Sequence, residues 1–426
     1  MLVLLMLSSL MACTKKGSLT LDRTELTLEN QAVLLVATVT PEQELVWASS
    51  NEKVVQVFEG YVIPIKNGTA IVTVSTRDGQ LSAQCTVTVS GFVKNLSEEG
   101  TANCYIIPEG GRYKFKCTRG GNSETQIPNV YSVRVLWEST FNNRGVEKKD
   151  LVSDVTYEDG WVYFQTGKEV RGNAVIAVSD NMGYVLWSWH LWFCKGYDPV
   201  RFQQTYNDGT IWMDRNLGAS TDAVSAGFGL MYQWGRKDPF PGPYTNSGSV
   251  TPTIPAFRDP VPGKDHTAAP GIITFAHREP MVFLTSGSSE KWCAGVSELS
   301  ELWNVTKTVN DPCPLGWRVP AATWKSAANG AESATNGHVR EYTGTLGFVS
   351  DLGSTLAGMA DRMLTYPAAG YYDKDGNLVN VKTNVKVWSC TLNGSSAYTM
   401  TADGVSAKFN GTSYLNGAAS VRCVKE

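Results

Sequence analysis

The sequence is short of charge. Only 18% of its 426 residues are Asp, Glu, Lys or Arg, against about a quarter in ordinary soluble domains. Those present nearly cancel, with 37 basic and 40 acidic residues and a net charge of −3. With no Lys/Arg block, the chain has no electrostatic means of holding nucleic acid. Histidine is scarcer still: His190, His266, His277 and His338 are all there are. None has a second His or a Cys at ligand spacing, which argues against a zinc hydrolase. No C-x-x-C occurs, so thioredoxin and zinc-ribbon readings fail. What the chain has instead is 40 glycines, 10% aromatics and many Val and Thr. That composition argues for short strands joined by tight turns. At about 100–200 residues per domain, the length predicts two to four domains.

The apolar run Leu2 to Leu10 is too short to span a bilayer and fits the core of an export signal. It ends in Leu10-Met11-Ala12-Cys13, which resembles a bacterial lipobox. The resemblance implies cleavage before Cys13 and acylation of that residue, giving a membrane anchor through several chains at about 0.8 kcal/mol per buried methylene. The basic residues that usually precede such a run are absent, since Met1 is followed directly by Leu2. Export would permit disulfides among Cys85, Cys104, Cys117, Cys194, Cys293, Cys313, Cys390 and Cys423. Sequence spacing alone does not pair them.

After a tether (1–17), residues 18–90 alternate in short runs: Leu19-Leu21, Leu26-Leu28, Val33-Val39, Val54-Val57, Ala70-Val74 and Cys85-Val89. Turn signals at Asn51-Glu52, Glu59-Gly60, Asn67-Gly68 and Asp78-Gly79 separate them, the pattern of an antiparallel sandwich. Val46-Trp47-Ala48-Ser49-Ser50-Asn51, Gly60, Gly68-Thr69-Ala70 and Cys85-Thr86-Val87-Thr88-Val89 resemble a group 2 bacterial Ig-like domain. Trp47 is expected to plug its core. Residues 91–197 read as a second sandwich, with strands at Cys104-Ile107, Tyr113-Cys117, Val133-Glu138, Val152-Tyr157, Trp161-Gln165, Asn173-Ser179 and Tyr184-Phe193. Hairpin turns are expected at Glu158-Asp159-Gly160 and Asp180-Asn181-Met182-Gly183. Thr101-Ala102-Asn103-Cys104-Tyr105 and Leu186-Trp187-Ser188-Trp189-His190-Leu191-Trp192 resemble a β-sandwich module of Bacteroidetes surface proteins. Within one strand Trp187 and Trp189 share a face and Trp192 takes the other, so core packing is favoured over sugar stacking. His190 reads as a structural histidine.

The remainder, 198–426, carries distinctive blocks. They are Trp212-Met213-Asp214-Arg215-Asn216-Leu217-Gly218, Tyr232-Gln233-Trp234-Gly235-Arg236-Lys237-Asp238, Asn310-Asp311-Pro312-Cys313 with Gly316-Trp317-Arg318, Tyr366 to Tyr372, Val387-Trp388-Ser389-Cys390 and Arg422-Cys423. In this order they resemble the Fibrobacter succinogenes major paralogous domain, related in fold to C-type lectins and formylglycine-generating enzymes. The resemblance implies an α+β, C-type-lectin-like fold with long irregular loops. Trp212, Asp214, Arg215, Trp234, Arg236, Asp238, Trp317 and Arg318 then form a structural signature, an internal ion network rather than a ligand site. The same resemblance implies a Cys313–Cys423 bridge from the start of a helix-bearing segment to the last strand, leaving Cys293 and Cys390 as the remaining pair. Residues 239–280 hold nine of the eighteen prolines and are expected to form neither a central strand nor a helix. Asp373 to Asn377 looks like a calcium loop but lacks the later bidentate Glu, so it reads as a hairpin turn. Tyr371, Tyr372 and Trp388 are the candidate sugar-stacking residues.

The expected fold is therefore mainly β and multidomain: two Ig-like sandwiches, then a lectin-like head. The expected role is an exported outer-membrane lipoprotein, an adhesin or fimbrial tip or accessory subunit that recognises a glycan or surface protein. Its other partners would be envelope or fimbrial subunits. The alternatives are a purely structural fimbrial or surface-layer subunit and an oxidase of the formylglycine-generating type. No Ser-His-Asp or Cys-His set and no glycosidase carboxylate pair has support beyond residue presence. The expectation is accordingly no enzyme, no metal and no cofactor.

Overall fold

Nearly every alternating run in the sequence is a strand. The computed structural model describes residues 17–121, 123–140, 149–205, 208–221, 227–243, 272–285, 290–293, 296, 298–323, 333–335, 339–342, 345–350, 364–403 and 406–426. The fold is mainly β and multidomain, and its contacts divide the chain into two compact units, 1–94 and 95–426. Cys13 and the expected signal lie outside the described residues.

In the first unit, a four-stranded sheet runs in the order Glu25–Leu28, Ser82–Val89, Gly68–Thr76, Leu45–Ser49. A three-stranded sheet runs Val33–Leu34, Tyr61–Pro64, Val55–Phe58. The alternation buries Ala70, Val72, Cys85 and Val87 of the first against Val55 and Val62 of the second. The long run from Val33 is two strands, Val33–Leu34 and Ala37–Thr40. Trp47 is half-buried and lies against this core rather than filling it, so these aliphatic side chains are the plug. At Gly60, with a φ of +85°, a Cβ would sit 2.6 Å from the Leu35 carbonyl oxygen and 3.2 Å from the Trp47 ring. Only glycine fits that turn.

The second unit opens with a sandwich. One sheet runs Cys104–Ile107, Val185–Cys194, Arg171–Ser179, Ser132–Thr140. The other contains Arg112–Lys116, Trp161–Thr166 and Val152–Glu158. Glu158 pairs with Trp161 across Asp159 (φ 46°) and Gly160 (φ 81°), the left-handed pair that a tight two-residue hairpin requires. At the second expected turn, Asp180 Oδ1 accepts from the backbone N–H groups of Met182 and Tyr184.

The strand Val185–Cys194 organises the rest. Trp187, Trp189, Leu191 and Phe193 belong to the sandwich core. Trp192 and Cys194 belong to a second core shared with Leu217, Trp234, Trp303, Cys313 and Trp388. A strand apolar on both faces is buried on both faces, and this one is the wall between two cores within 95–426. Beyond it, the chain forms a sheet in which Ser406–Tyr414, Ser396–Ala402, Val385–Asn393, Ala418–Ser420 and Tyr371–Tyr372 are successive neighbours. Trp317–Arg318, Val424–Lys425 and Ile211–Trp212 form part of a smaller sheet.

Among the described residues, helix is confined to Ile272–Arg278 and a 3-10 turn at Leu299–Glu301. The first of these corrects the expectation that 239–280 holds no helix, and the reason is local. The stretch from 271 to 279 contains no proline, so a helix fits between Pro270 and Pro280. Residues 244–271 of that stretch lie outside the described set, as does much of the expected helix-bearing segment after Cys313.

Candidate functional site

The charged blocks of residues 198–426 point inward. Arg215 donates from Nε and Nη2 to both oxygens of Asp214 (2.8 and 2.7 Å) and lays its guanidinium 4.1 Å from the Tyr197 ring centroid. Arg236 is buried and donates from Nη1 to the Val282 carbonyl (2.7 Å) and from Nη2 to those of Ala276 and Glu279. It thereby supplies partners at the C-terminal end of the short helix, where carbonyls lack them. Burial lowers the Arg236 guanidinium to about 10, still charged at neutral pH. Lys237 donates to Asp238 Oδ1 (2.7 Å), Ser188 Oγ (2.6 Å) and the Ser188 carbonyl (3.0 Å). Its ammonium also sits 4.4 Å from the Trp187 ring centroid. Desolvation lowers the Lys237 ammonium, opposed by the Asp238 charge.

The aromatic signature is equally internal. Trp212, Trp234 and Trp317 are buried, whereas Arg318 is half-buried and donates to the Val319 carbonyl. Indole N–H groups staple loops: Trp234 to the Ser389 carbonyl, Trp292 to that of Trp234, Trp303 to that of Asn310 and Trp388 to that of Tyr232. Trp388 is fully buried and Tyr372 is 4% exposed, its hydroxyl donating to the Pro241 carbonyl. Neither can stack a sugar, because packing from distant segments covers both. Tyr371 is half-buried, and the Lys386 ammonium lies 3.3 Å from its ring centroid, covering one face. The hairpin reading of Asp373 to Asn377 matches the pairing of Tyr372 with Leu378. Asp373 Oδ1 accepts from the N–H groups of Asp375 and Asn377.

Cys313 and Cys423 are bonded to each other across 110 residues. Cys293 and Cys390 are two separate buried thiols, not the expected pair. Each fills an apolar position in the shared core, and burial pushes the thiols up to about 12 and about 11. Protonated and enclosed, they behave as small hydrophobes.

Two polar hubs carried no signal of their own in the sequence. Asn103 donates from Nδ2 to the carbonyls of Val309 and Asp311 (2.8 Å each) and accepts from the Trp187 indole. One side chain thus joins the start of the sandwich to the block before Cys313. Asn173 donates to the Gly218 carbonyl, which fixes its Oδ1 toward His190 Nε2 at 2.9 Å. His190 therefore carries its hydrogen on Nε2. Its Nδ1 accepts, facing Cys104 Sγ at 3.3 Å and the Tyr232 hydroxyl at 3.5 Å. Although Cys, His and Asn stand in line, burial raises the Cys104 thiol and holds His190 down to about 3. Neither is charged at neutral pH, so the set is structural rather than nucleophilic.

That burial has a measurable consequence. The unfolded chain protonates this histidine near pH 6.5 whereas the folded chain does not, so the contribution of neutral His190 is complete above that pH. It is lost as pH falls toward the folded value of about 3. Urea unfolding at pH 7, 5 and 4 should show a loss of about 1.4 kcal/mol per pH unit from this one proton. His190→Gln should flatten the profile by that amount, and an unchanged slope in the variant would refute the assignment.

With these side chains consumed, the open clefts among the described residues are at the surface. Among the described residues, no group of three His, Cys, Asp or Glu could hold a metal ion. One cleft, open to solvent, is lined by Glu98, Glu99, Tyr105, Pro199 and Pro314. Another lies between the sandwich sheet and the end of the short helix, lined by Arg134, Tyr184, Arg278, Glu279 and Met281.

No family model matches this sequence, and no protein of curated function matches it. Among solved structures, a Bacteroides ovatus mixed-linkage glucan utilization locus protein, SGBP-B, in complex with a mixed-linkage heptasaccharide is 15% identical over 40% of this chain and 42% of its own, with a TM-score of 0.13. The surface layer protein SbsC, domains 1–6, is 18% identical over 46% of this chain and 30% of its own, at 0.16. The titin Ig tandem A164-A165 is 8% identical over 42% of this chain and 96% of its own, also at 0.16. The chain spans less than half the length of the first two. Scores this low carry neither arrangement nor function across to this protein.

Proposed function

We propose that this chain is an exported envelope protein, anchored through lipid on Cys13, whose unit 95–426 is a rigid binding head of the adhesin or fimbrial tip type. The observation that carries the reading is the Cys313–Cys423 bond within the shared core. A bond of this kind belongs to an oxidising compartment, in keeping with the lipobox-like Leu10-Met11-Ala12-Cys13. The inward-facing ion network and indole staples add a body whose loops are fixed in place, which suits presentation of a surface rather than chemistry. Outer-membrane residence, cell-surface exposure and glycan or protein recognition are parts of the same proposal.

The oxidase alternative loses support. Cys423 is committed to Cys313, and Cys390 is a buried thiol raised to about 11, so no reactive pair forms between them. A purely structural subunit draws on a different observation. Leu34, Tyr61 and Phe58 lie in register across the outer face of the three-stranded sheet, and all are exposed. Fibre assembly by the purified chain, without binding to any glycan or matrix protein, would favour that reading.

The test of the anchor is metabolic labelling with an alkyne fatty acid. Labelled protein is expected in the membrane fraction, and Cys13→Ser should lose the label and release the protein. Protease shaving of intact cells should then cut the wild-type head. A mature chain that keeps Met1 and stays in the cell interior would overturn the proposal.

A further inference from the structure

The cleft beside the short helix is built from three separate segments of the second unit. Arg134 and Leu136 come from the strand Ser132–Thr140, Gly183, Tyr184 and Val185 from the hairpin that opens Val185–Cys194, and Arg278 to Met281 from the helix end. Its cavity volume is about 80 Å³, open to solvent on one side. Arg134 donates from Nη1 to Ser179 Oγ at 2.6 Å, which holds its guanidinium at the rim. The Arg278 guanidinium lies 5.5 Å from the Tyr184 ring centroid. Neither arginine makes an ion pair within the described residues. Tyr184, 48% exposed, lines the cleft, and Met182 stands exposed on the same turn. Leu136, Val185, Pro280 and Met281 give the cleft an apolar lining.

We infer that this cleft binds a sugar ring bearing a carboxylate, a uronate unit of an acidic glycan. This deepens the binding reading above and rests on it. Guanidinium forks match a carboxylate with charge-assisted hydrogen bonds. An aromatic ring beside apolar side chains suits the C–H face of a pyranose. Glu279 lines the same wall and already has a partner of its own.

The structure itself ensures that the site is testable. Arg278 is exposed and Arg134 reaches a single serine hydroxyl, so Arg278→Gln and Arg134→Lys should fold, as a wild-type melting profile would show. Calorimetric titration of the full chain with tetragalacturonate should show binding that weakens as salt is raised. Arg278→Gln should weaken it about tenfold, the loss of one charge-assisted pair. Tyr184→Ala should weaken binding without changing its salt dependence. The methyl-esterified tetramer, which has the same shape and no charge, and a cello-oligosaccharide of equal length should bind no better than Arg278→Gln binds the acid. Equal binding of wild type and Arg278→Gln, or no binding of the acid, would overturn the assignment. So would equal binding of polyglutamate, which would make the site a general anion site. Loss of the assignment in any of these ways leaves the Cys13 labelling result untouched, so the two proposals fail separately.

Discussion

Replacing Cys313 and Cys423 together by alanine is expected to lower the unfolding free energy of residues 95–426 by about 4–5 kcal/mol on the chain-entropy account of a 110-residue loop. The bond connects the block Asn310 to Cys313 with the residue just before the last strand, Val424–Lys425, and both cysteines are fully buried. In the oxidised protein the unfolded chain is held in a loop, and removing the bond frees it. The block also has its own support: Lys307 donates to Asp311 Oδ1 and to the carbonyls of Cys313 and Trp317. The native arrangement around the missing bond is therefore expected to persist, with the loss appearing as a lower urea midpoint and a steeper slope, since the freed unfolded chain exposes more surface. Reductant should reproduce the effect in the wild type and do nothing to the double variant. A midpoint in the double variant within experimental error of wild type would show that the bond contributes nothing.

The second large effect concerns Lys237 and Asp238. Their side chains are 1% and 5% exposed, and Ser188 Oγ donates to Asp238 Oδ1 at 2.5 Å beside them. Asp238→Asn would leave an ammonium buried against Trp187 without its counter-charge, and Lys237→Met would leave a buried carboxylate. Each single change is expected to cost about 3–5 kcal/mol, because one uncompensated buried charge is left behind. Lys237→Met combined with Asp238→Leu should cost much less than the sum, since the pair leaves together. Urea unfolding of the three variants gives the coupling directly. Additive losses would show that the two side chains act independently and that the network is not the internal brace described above.

The strands were legible because their signal is local. A period of two along Ala70 to Val74 or Cys85 to Val89, with Asp-Gly at a turn, specifies strand and hairpin without reference to any other part of the chain. The inward reading of Asp214, Arg215, Arg236 and Asp238 was likewise open to inspection, since each acid stands near a base and a large aromatic. What escaped was whatever depends on distant partners. Asn103 finds its acceptors 206 and 208 residues away, and nothing around it in the sequence marks it as a hub. Tyr372 and Trp388 have the composition of an exposed sugar platform. Only the placement of Pro241 and Tyr232 against them shows that they are interior. Cys293 and Cys390 were paired by what remained, a reasoning that assumes every exported cysteine is oxidised. The apolar surroundings that keep each thiol protonated are assembled from remote segments and have no local trace. The cleft at Arg134 and Arg278 belongs to the same class, since its lining comes from three segments well separated in the chain.

The wall strand Val185–Cys194 bears on how such proteins can diversify. Its two faces must fit two different interiors at once, so a head beginning at residue 198 cannot be grafted onto another sandwich without leaving Trp192 and Cys194 uncovered. Recombination that yields a folded descendant should carry residues 95–426 as a single heritable cassette. Novelty in recognition would then arise by point change along the surface clefts rather than by exchange of heads.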